Sequence, residues 1–245
     1  MKIEFDEGFS FGIGAFETIS VEDGKLLFLE QHLNRLDKAL NFLHLGNLKE
    51  YKITVEKLTD YVRENHIICG ACKLTVSKKN ILLEHRKNPY TEKMRKIGFQ
   101  MDFSEVRRNE TSPLTAYKTL NYADCLLERC SAVQIGMDER IFLNTKNQIS
   151  EGTVSNIFFV KNGKIFTPAL FCGLLPGIIR EYLCNTESVT ETIIYKNEIE
   201  QYEECFITNS LMGIMPVRQL AQKRFEKRTM TDKLIEKYDT FKSQN

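Results

Sequence analysis

Several stretches of the chain hold residues whose types and spacing could do chemistry. Lys118 lies in Ala116-Tyr117-Lys118-Thr119-Leu120-Asn121-Tyr122, at the start of an expected helix and among apolar neighbours. A lysine there loses its charge more readily than one in water, as an amine that attacks a carbonyl must, although a snorkelling lysine fits the same pattern. Glu151 ends an expected strand in Glu151-Gly152-Thr153-Val154-Ser155-Asn156, where a strand-edge carboxylate would be routine. Leu175-Pro176-Gly177-Ile178-Ile179-Arg180 opens a helix whose first N–H groups form a general anion site. Thr208-Asn209-Ser210-Leu211-Met212-Gly213 puts polar donors directly after a strand. His32 and Arg35 stand three apart and project from one helix face, with a salt-bridged surface arginine as the plain alternative.

Other motifs and the overall composition mainly exclude. Gly12-Ile13-Gly14 lacks the third glycine of a dinucleotide loop and lies between strand-like segments, so a tight turn is its simplest reading. Cys69-Gly70-Ala71-Cys72 has zinc or redox spacing, but no second pair completes four ligands, and no metal is expected. The four histidines show no ligand spacing. In 245 residues, 34 Lys+Arg face 33 Asp+Glu, a balance that argues against a nucleic-acid partner. Seven cysteines at irregular spacings fit reduced thiols and a cytoplasmic protein. The acidic N-terminus is unlike a signal peptide, and no apolar run approaches the roughly 18 residues of a membrane helix.

The elements that must position these residues alternate between strands and helices. After a strand-like opening punctuated by glycine, Phe16, Thr18 and Ser20 alternate with Glu17, Ile19 and Val21, and Asp23-Gly24 signals a hairpin turn. Leu33, Leu36, Leu40 and Leu43 mark the stripe of one helix, and a second helix is expected over residues 49–65. Strands are expected at 72–76, 81–84 and near 97–103, then a helix over 121–133 and hairpins around 140–149 and 156–167. A helix from Pro176 to Cys184, strands near 193, 205–208 and 214–217, and a closing helix at 231–241 complete the order. The pattern predicts an α+β fold in two subdomains: residues 1–108, a polar linker at 109–116, and a larger C-terminal subdomain, 117–245, carrying Lys118.

An amine, a carboxylate, an arginine and two anion-ready backbone turns are what pyridoxal phosphate requires for its aldehyde, its pyridinium nitrogen and its phosphate. The chain resembles the class IV (fold type IV) pyridoxal-phosphate enzymes, which include branched-chain and D-amino-acid aminotransferases and aminodeoxychorismate lyase. The likeness runs through Phe11-Gly12-x-Gly14-x-Phe16-Glu17-Thr18, His32-Leu33-Asn34-Arg35-Leu36, Lys118-Thr119-Leu120-Asn121-Tyr122, Glu151 to Asn156 and Leu175-Pro176-Gly177-Ile178. It implies a fold like that of D-amino-acid aminotransferase, a cofactor cleft between the subdomains, a small-molecule amine substrate and a homodimer. Lys118 would bond the cofactor aldehyde and move the substrate's proton. Glu151 would face the pyridine nitrogen, and Tyr122 the phenolic oxygen. Arg35, Ser210 and the amides of Ile178, Ile179 and Leu211 would hold the phosphate, with Ser155 also on the cofactor. The family often has threonine where Ile179 stands. Phe16 and Asn209 would touch substrate, and Thr18 would protonate or orient a leaving group.

Two departures stand out. The residues ahead of Phe11 leave little room for the family's N-terminal strand, and Ser77, followed by Lys78 and Lys79, stands where relatives often have a carboxylate-binding arginine. The run Asn209-Ser210-Leu211-Met212, followed by Met215-Pro216-Val217, is more like the lyases than the Gly-Thr-Ala turn of the aminotransferases. The expected reaction is elimination of pyruvate from 4-amino-4-deoxychorismate, giving 4-aminobenzoate for folate synthesis. A branched-chain or D-amino-acid aminotransferase is the alternative, and a non-catalytic binding protein on this fold a more distant one.

Overall fold

The computed structural model describes residues 3–244. The chain divides into two compact units, one running to Pro89 and taking in Tyr117–Tyr122, the other comprising Tyr90–Ala116 and the residues from Ala123 onward. This differs from the expected division at 108 and 117. The Lys118 segment belongs to the first unit, not to the C-terminal one.

In the first unit the order is α1 (Glu7–Phe11), β1 (Gly14–Glu22), β2 (Lys25–Leu26), α2 (Leu29–Phe42), α3 (Val55–Glu64), β3 (Gly70–Ser77) and β4 (Ile81–Arg86). The opening is helical rather than strand-like. The Asp6 carboxylate accepts from the Phe9 N–H, and Gly12, at φ +71°, closes the turn in the left-handed region. The strands form an antiparallel sheet in the order β2-β1-β3-β4. Period-two alternation buries Ala15, Glu17, Ile19 and Val21 on one face of β1 and leaves Phe16 and Thr18 half-buried on the other. Ala15 and Ile19 pack with Leu33, Leu36 and Leu40 of α2, Leu58 of α3 and Leu74 of β3. Full burial of each such leucine or isoleucine contributes about 1.5–3 kcal/mol. α3 is shorter than the expected 49–65, because the Thr54 hydroxyl accepts from the Lys57 N–H and sets a new helix start after a turn.

Residues 117–122 line the part of the β1 edge that the short β2 does not reach. Phe16 N–H donates to the Lys118 carbonyl at 3.0 Å, Leu120 N–H donates to the Gly14 carbonyl at 2.9 Å, and Ala15 bridges Thr119. A Cβ at Gly14 would lie 2.6 Å from Leu120 Cδ1 and 2.7 Å from the Val76 carbonyl oxygen. The glycine therefore permits a close approach of three backbone segments. The ring of Tyr117 stacks on Phe42 at 4.2 Å.

The second unit holds α4 (Glu92–Ile97), β5 (Phe99–Arg108), α5 (Ala123–Gln134), β6 (Glu139–Asn144), β7 (Ile149–Gly152), β8 (Asn156–Lys161), β9 (Lys164–Pro168), α6 (Ile178–Thr186), β10 (Val189–Thr192), β11 (Glu204–Asn209), β12 (Gly213–Leu220), β13 (Lys223–Arg224) and α7 (Thr229–Gln244). Its sheet runs β10-β9-β8-β11-β12-β5-β6-β7, with β13 on β12. β5 is parallel to both β12 and β6, which fixes it in this sheet and moves the boundary back to Pro89. Residues 109–116 are not a spacer; Pro113–Ala116 form a 3-10 turn of the second unit. The core of the unit includes Phe99, Met101, Ile141, Ile157, Phe159, Ile207 and Met215. Among the described residues, no helix is long and apolar enough to cross a membrane.

Candidate active site

In the first unit, Lys118 is set by the β1 edge rather than by a helix, since α5 begins only at Ala123. Its Nζ lies 4.5 Å from the centroid of the Phe16 ring and 5.1 Å from that of Tyr122. Those rings meet edge to face at 5.2 Å. Aromatic faces attract an ammonium, so Lys118 sits in an aromatic cradle rather than in the purely apolar setting expected from its neighbours in sequence. Thr18 shares the Phe16 face of β1 and stands opposite Lys73 of β3. Lys73 Nζ lies 5.3 Å from the same Phe16 ring. Thus Lys118, Tyr122, Phe16 and Thr18 come together, and Lys73 joins them. The sequence reading missed Lys73; its place two residues before Thr75 in a period-two strand is a signal only once the β1–β3 register is known.

Ser77, opposite Gly14, follows Lys73 and Thr75 on the same side of β3, but it is tied to the Asp6 cap of α1. Its hydroxyl is buried and donates to Asp6 at 2.6 Å, while Asn80 and the Lys79 N–H also donate to Asp6. Burial would push the Asp6 carboxyl up, but these donors override it and hold it at about 2.

Arg35 lies on the opposite face of β1, against Glu17. Its Nε and Nη2 each donate to Glu17 at 2.7 Å, and His32 Nδ1 is 2.6 Å from the same carboxylate. Burial alone would raise the Glu17 carboxyl, yet the Arg35 guanidinium and then the His32 ring hold it at about 2. Burial pushes His32 down by more than the Glu17 carboxylate lifts it, with Arg35 and Lys118 adding to the depression. The carboxylate is ionised and the imidazole neutral.

The second unit gathers the other predicted residues into linked turns. Glu151, at the end of β7, accepts from Arg108 Nη2 at 2.6 Å and from the Leu175 N–H at 3.0 Å. Arg108, the last residue of the expected first subdomain, was not singled out; its guanidinium also lies 4.9 Å from the Phe142 ring. Asn156 Nδ2 donates to the Leu175 carbonyl, and its Oδ1 lies 2.0 Å from where a Cβ on Gly177 would be. Gly177 is the N-cap of α6, and no side chain caps that helix. The Ile178 and Ile179 amides thus belong to a first turn whose donors have no intrahelical partner, while both side chains are buried.

Asn209 and Leu211 are engaged differently from expectation. The Asn209 side-chain oxygen accepts from the N–H groups of Leu211 and Met212, both at 2.9 Å, and its Nδ2 donates to the Val154 carbonyl at 3.1 Å. The Leu211 amide, expected on a phosphate, is turned onto Asn209; Asn209, expected on substrate, ties two turns together. The Ser155 hydroxyl lies within 3.4 Å of Glu139, a buried carboxylate that also accepts from the Thr153 N–H and hydroxyl. Burial raises the Glu139 carboxyl against the pull of those donors. Ser210 is half-buried beside them.

Each unit holds groups of the kinds pyridoxal phosphate requires: in the first a lysine cradled by aromatic rings and an arginine fork held in one orientation, in the second a buried carboxylate and a helix start without a side-chain cap. The Amino-transferase class IV family profile matches residues 14–220.

The chain belongs to the class IV aminotransferase family.

Members of this family carry pyridoxal 5′-phosphate, and the chain is a pyridoxal-phosphate-dependent enzyme of this class. The class IV chain is 29% identical to a protein of Methanocaldococcus jannaschii provisionally assigned as a branched-chain-amino-acid aminotransferase, over 96% of this chain and 88% of that one. It is 27% identical to the aminodeoxychorismate lyase of Bacillus subtilis, over 89% and 81%. A solved Legionella pneumophila structure, provisionally assigned as a 4-amino-4-deoxychorismate lyase, superposes with a TM-score of 0.88 at 27% identity, covering 98% of this chain and 95% of the other. The mixed α+β class IV fold with two sheets is thus common to both activities.

Proposed function

We propose that the chain eliminates pyruvate from 4-amino-4-deoxychorismate and releases 4-aminobenzoate, a step of folate synthesis. The observation that carries this reading is the face formed by Phe16, Thr18 and Lys73 beside Lys118. The substrate is a small ring bearing an amine, a ring carboxylate and an enolpyruvyl carboxylate. Phe16 offers an aromatic wall, Lys73 a cation for a carboxylate, and Lys118 the reacting amine. Thr75, Glu84 and Leu82 continue the Lys73 side of β3 and β4, so this face joins polar groups to one leucine.

The cofactor, when bound, supplies an aldehyde for the substrate amine and a sink for the electrons released at the adjacent carbon. Lys118 Nζ would hold the cofactor aldehyde before substrate binds and then, as a free amine, would take the proton from that carbon. Breaking the enolpyruvyl C–O bond would aromatise the ring, and the proton taken by Lys118 would pass to the departing enolate, oriented by Thr18, to give pyruvate. By the family resemblance, Tyr122 would meet the phenolic oxygen and Glu151 the pyridine nitrogen, with Arg108 holding Glu151 in place. Arg35, the Ile178 and Ile179 amides and Ser210 would hold the phosphate. Ser155 and Asn209 would act by shaping the turns, and the Leu211 amide could serve the phosphate only by giving up its bond to Asn209.

The 27% identity to the Bacillus subtilis lyase supports this reading. A class IV aminotransferase acting on branched-chain or D-amino acids is the second reading, favoured by the 29% identity to the Methanocaldococcus jannaschii protein. Incubation with 4-amino-4-deoxychorismate separates them: equimolar pyruvate and 4-aminobenzoate without any 2-oxo acid supports the lyase. A stoichiometric requirement for a 2-oxo acid sinks it. A homodimer is part of the proposal, supported by Leu126, Leu127 and Val133, which leave an apolar strip of α5 exposed. A monomeric mass by light scattering would remove that part.

A further inference from the structure

We propose that Glu17 is a positioning residue for phosphate recognition: it clamps the Nε–Nη2 edge of Arg35 and so sets which edge of the guanidinium meets the phosphate. The inference rests on reading Arg35 as a phosphate ligand. Glu17 is fully buried on the face of β1 opposite Phe16, and α2 places His32 and Arg35 on one side, three residues apart. Both carboxylate oxygens are used, one by Arg35 Nε and the other by Arg35 Nη2 and His32 Nδ1, at 2.6–2.7 Å.

A guanidinium is a rigid planar fork. Once its Nε–Nη2 edge is fixed on Glu17, the direction of Nη1 is fixed as well. His32 contributes a brace: its Nδ1 bonds Glu17, while its buried Nε2 has no hydrogen-bond partner among the described residues. With Glu17 ionised and His32 neutral, the trio has no net charge. Attraction of Arg35 for a phosphate is then a short, directional contact rather than a long-range field. A contact of that kind depends on orientation, which is what Glu17 supplies.

The test compares two probes on the full chain stripped of cofactor: pyridoxal 5′-phosphate and pyridoxal, which lacks only the phosphate. The dissociation constant of pyridoxal divided by that of pyridoxal 5′-phosphate, read from absorbance titrations, isolates phosphate recognition from bonding to Lys118. Glu17→Gln keeps the volume but turns an amide N–H₂ toward Arg35. It should lower the ratio about 10- to 100-fold, as loss of a charge-assisted hydrogen bond does, with pyridoxal affinity unchanged. His32→Gln, which leaves the Arg35–Glu17 pair in place, should lower it by less, and carries the test if Glu17→Gln does not fold. Equal loss of affinity for both probes, or an unchanged ratio, in either folded variant overturns the proposal. Arg35→Met is the control: if it leaves the ratio unchanged, the phosphate assignment itself fails and Glu17 loses its role with it. If Arg35→Met collapses the ratio while Glu17→Gln does not, only the positioning role fails.

Discussion

The lysine face of the first unit and the Glu151 turns of the second unit differ in what surrounds their functional groups. Around Lys118 stand the rings of Phe16 and Tyr122, whose faces attract a cation over a broad area. Around Glu151 and Asn209 the contacts are hydrogen bonds: Arg108 and Leu175 on Glu151, two amides on Asn209, and Thr153 and Ser155 on Glu139. A group that must form and break a covalent bond is served by soft attraction. Groups that must present one static geometry are served by saturated polar networks, which become costly when one member is lost. Chemistry and stability should therefore separate between the two regions under mutation.

The largest effect is expected at Lys118. Lys118→Ala should abolish turnover and the visible absorbance band of the bound cofactor while changing unfolding free energy by no more than about 1 kcal/mol. A melted variant would break the comparison. Arg108→Met should do the reverse, removing the cation that faces buried Glu151 and costing about 3 kcal/mol in urea unfolding. Asn209→Ala leaves the Leu211 and Met212 amides without their acceptor and should cost about 1–3 kcal/mol, with little change in the cofactor spectrum. Lys73→Met should raise KM about 10-fold for a dicarboxylate substrate at nearly constant kcat and constant stability, as loss of a uniform binding contact does.

The smallest effect concerns acid. Asp6 and Glu17 are both held at about 2, below their ordinary values of 3.8 and 4.5. Their contribution to stability is present above the ordinary values and drains away as pH falls toward 2. Asp6→Asn should flatten the fall in stability between about pH 4 and pH 2, measured by denaturant titration across that range. An unchanged slope would show that the Ser77 and Asn80 contacts do not act on an ionised Asp6.

Much of the local structure was legible in the sequence because it is set by neighbours along the chain. The leucine stripe of α2, the β3–β4 hairpin with its polar turn, and the Pro176-Gly177 start of α6 follow from spacing and turn chemistry alone. The α1 helix was missed because Phe9 and Phe11 read as strand residues, whereas Asp6 and Gly12 cap the turn from outside it. The boundary near 108 failed because a proline-broken polar run looks like a linker whether or not β5 is wedged between β12 and β6. Lys73 and Arg108 could not be singled out, since each gains meaning from a partner on another element. Glu17 could not either: a lone acid in an alternating strand gives no hint that His32 and Arg35 converge on it.

The sequence by itself determined the family and the cofactor class, and it singled out Lys118 as the candidate amine, because those depend on residue types in short blocks that survive without coordinates. Tertiary structure alone decided that the Lys118 segment completes the edge of β1, that Lys73 stands beside it, and that the Leu211 amide is turned onto Asn209. Those are matters of which distant groups share a few ångströms. Backbone pairing across long sequence separations, not local propensity, settles them.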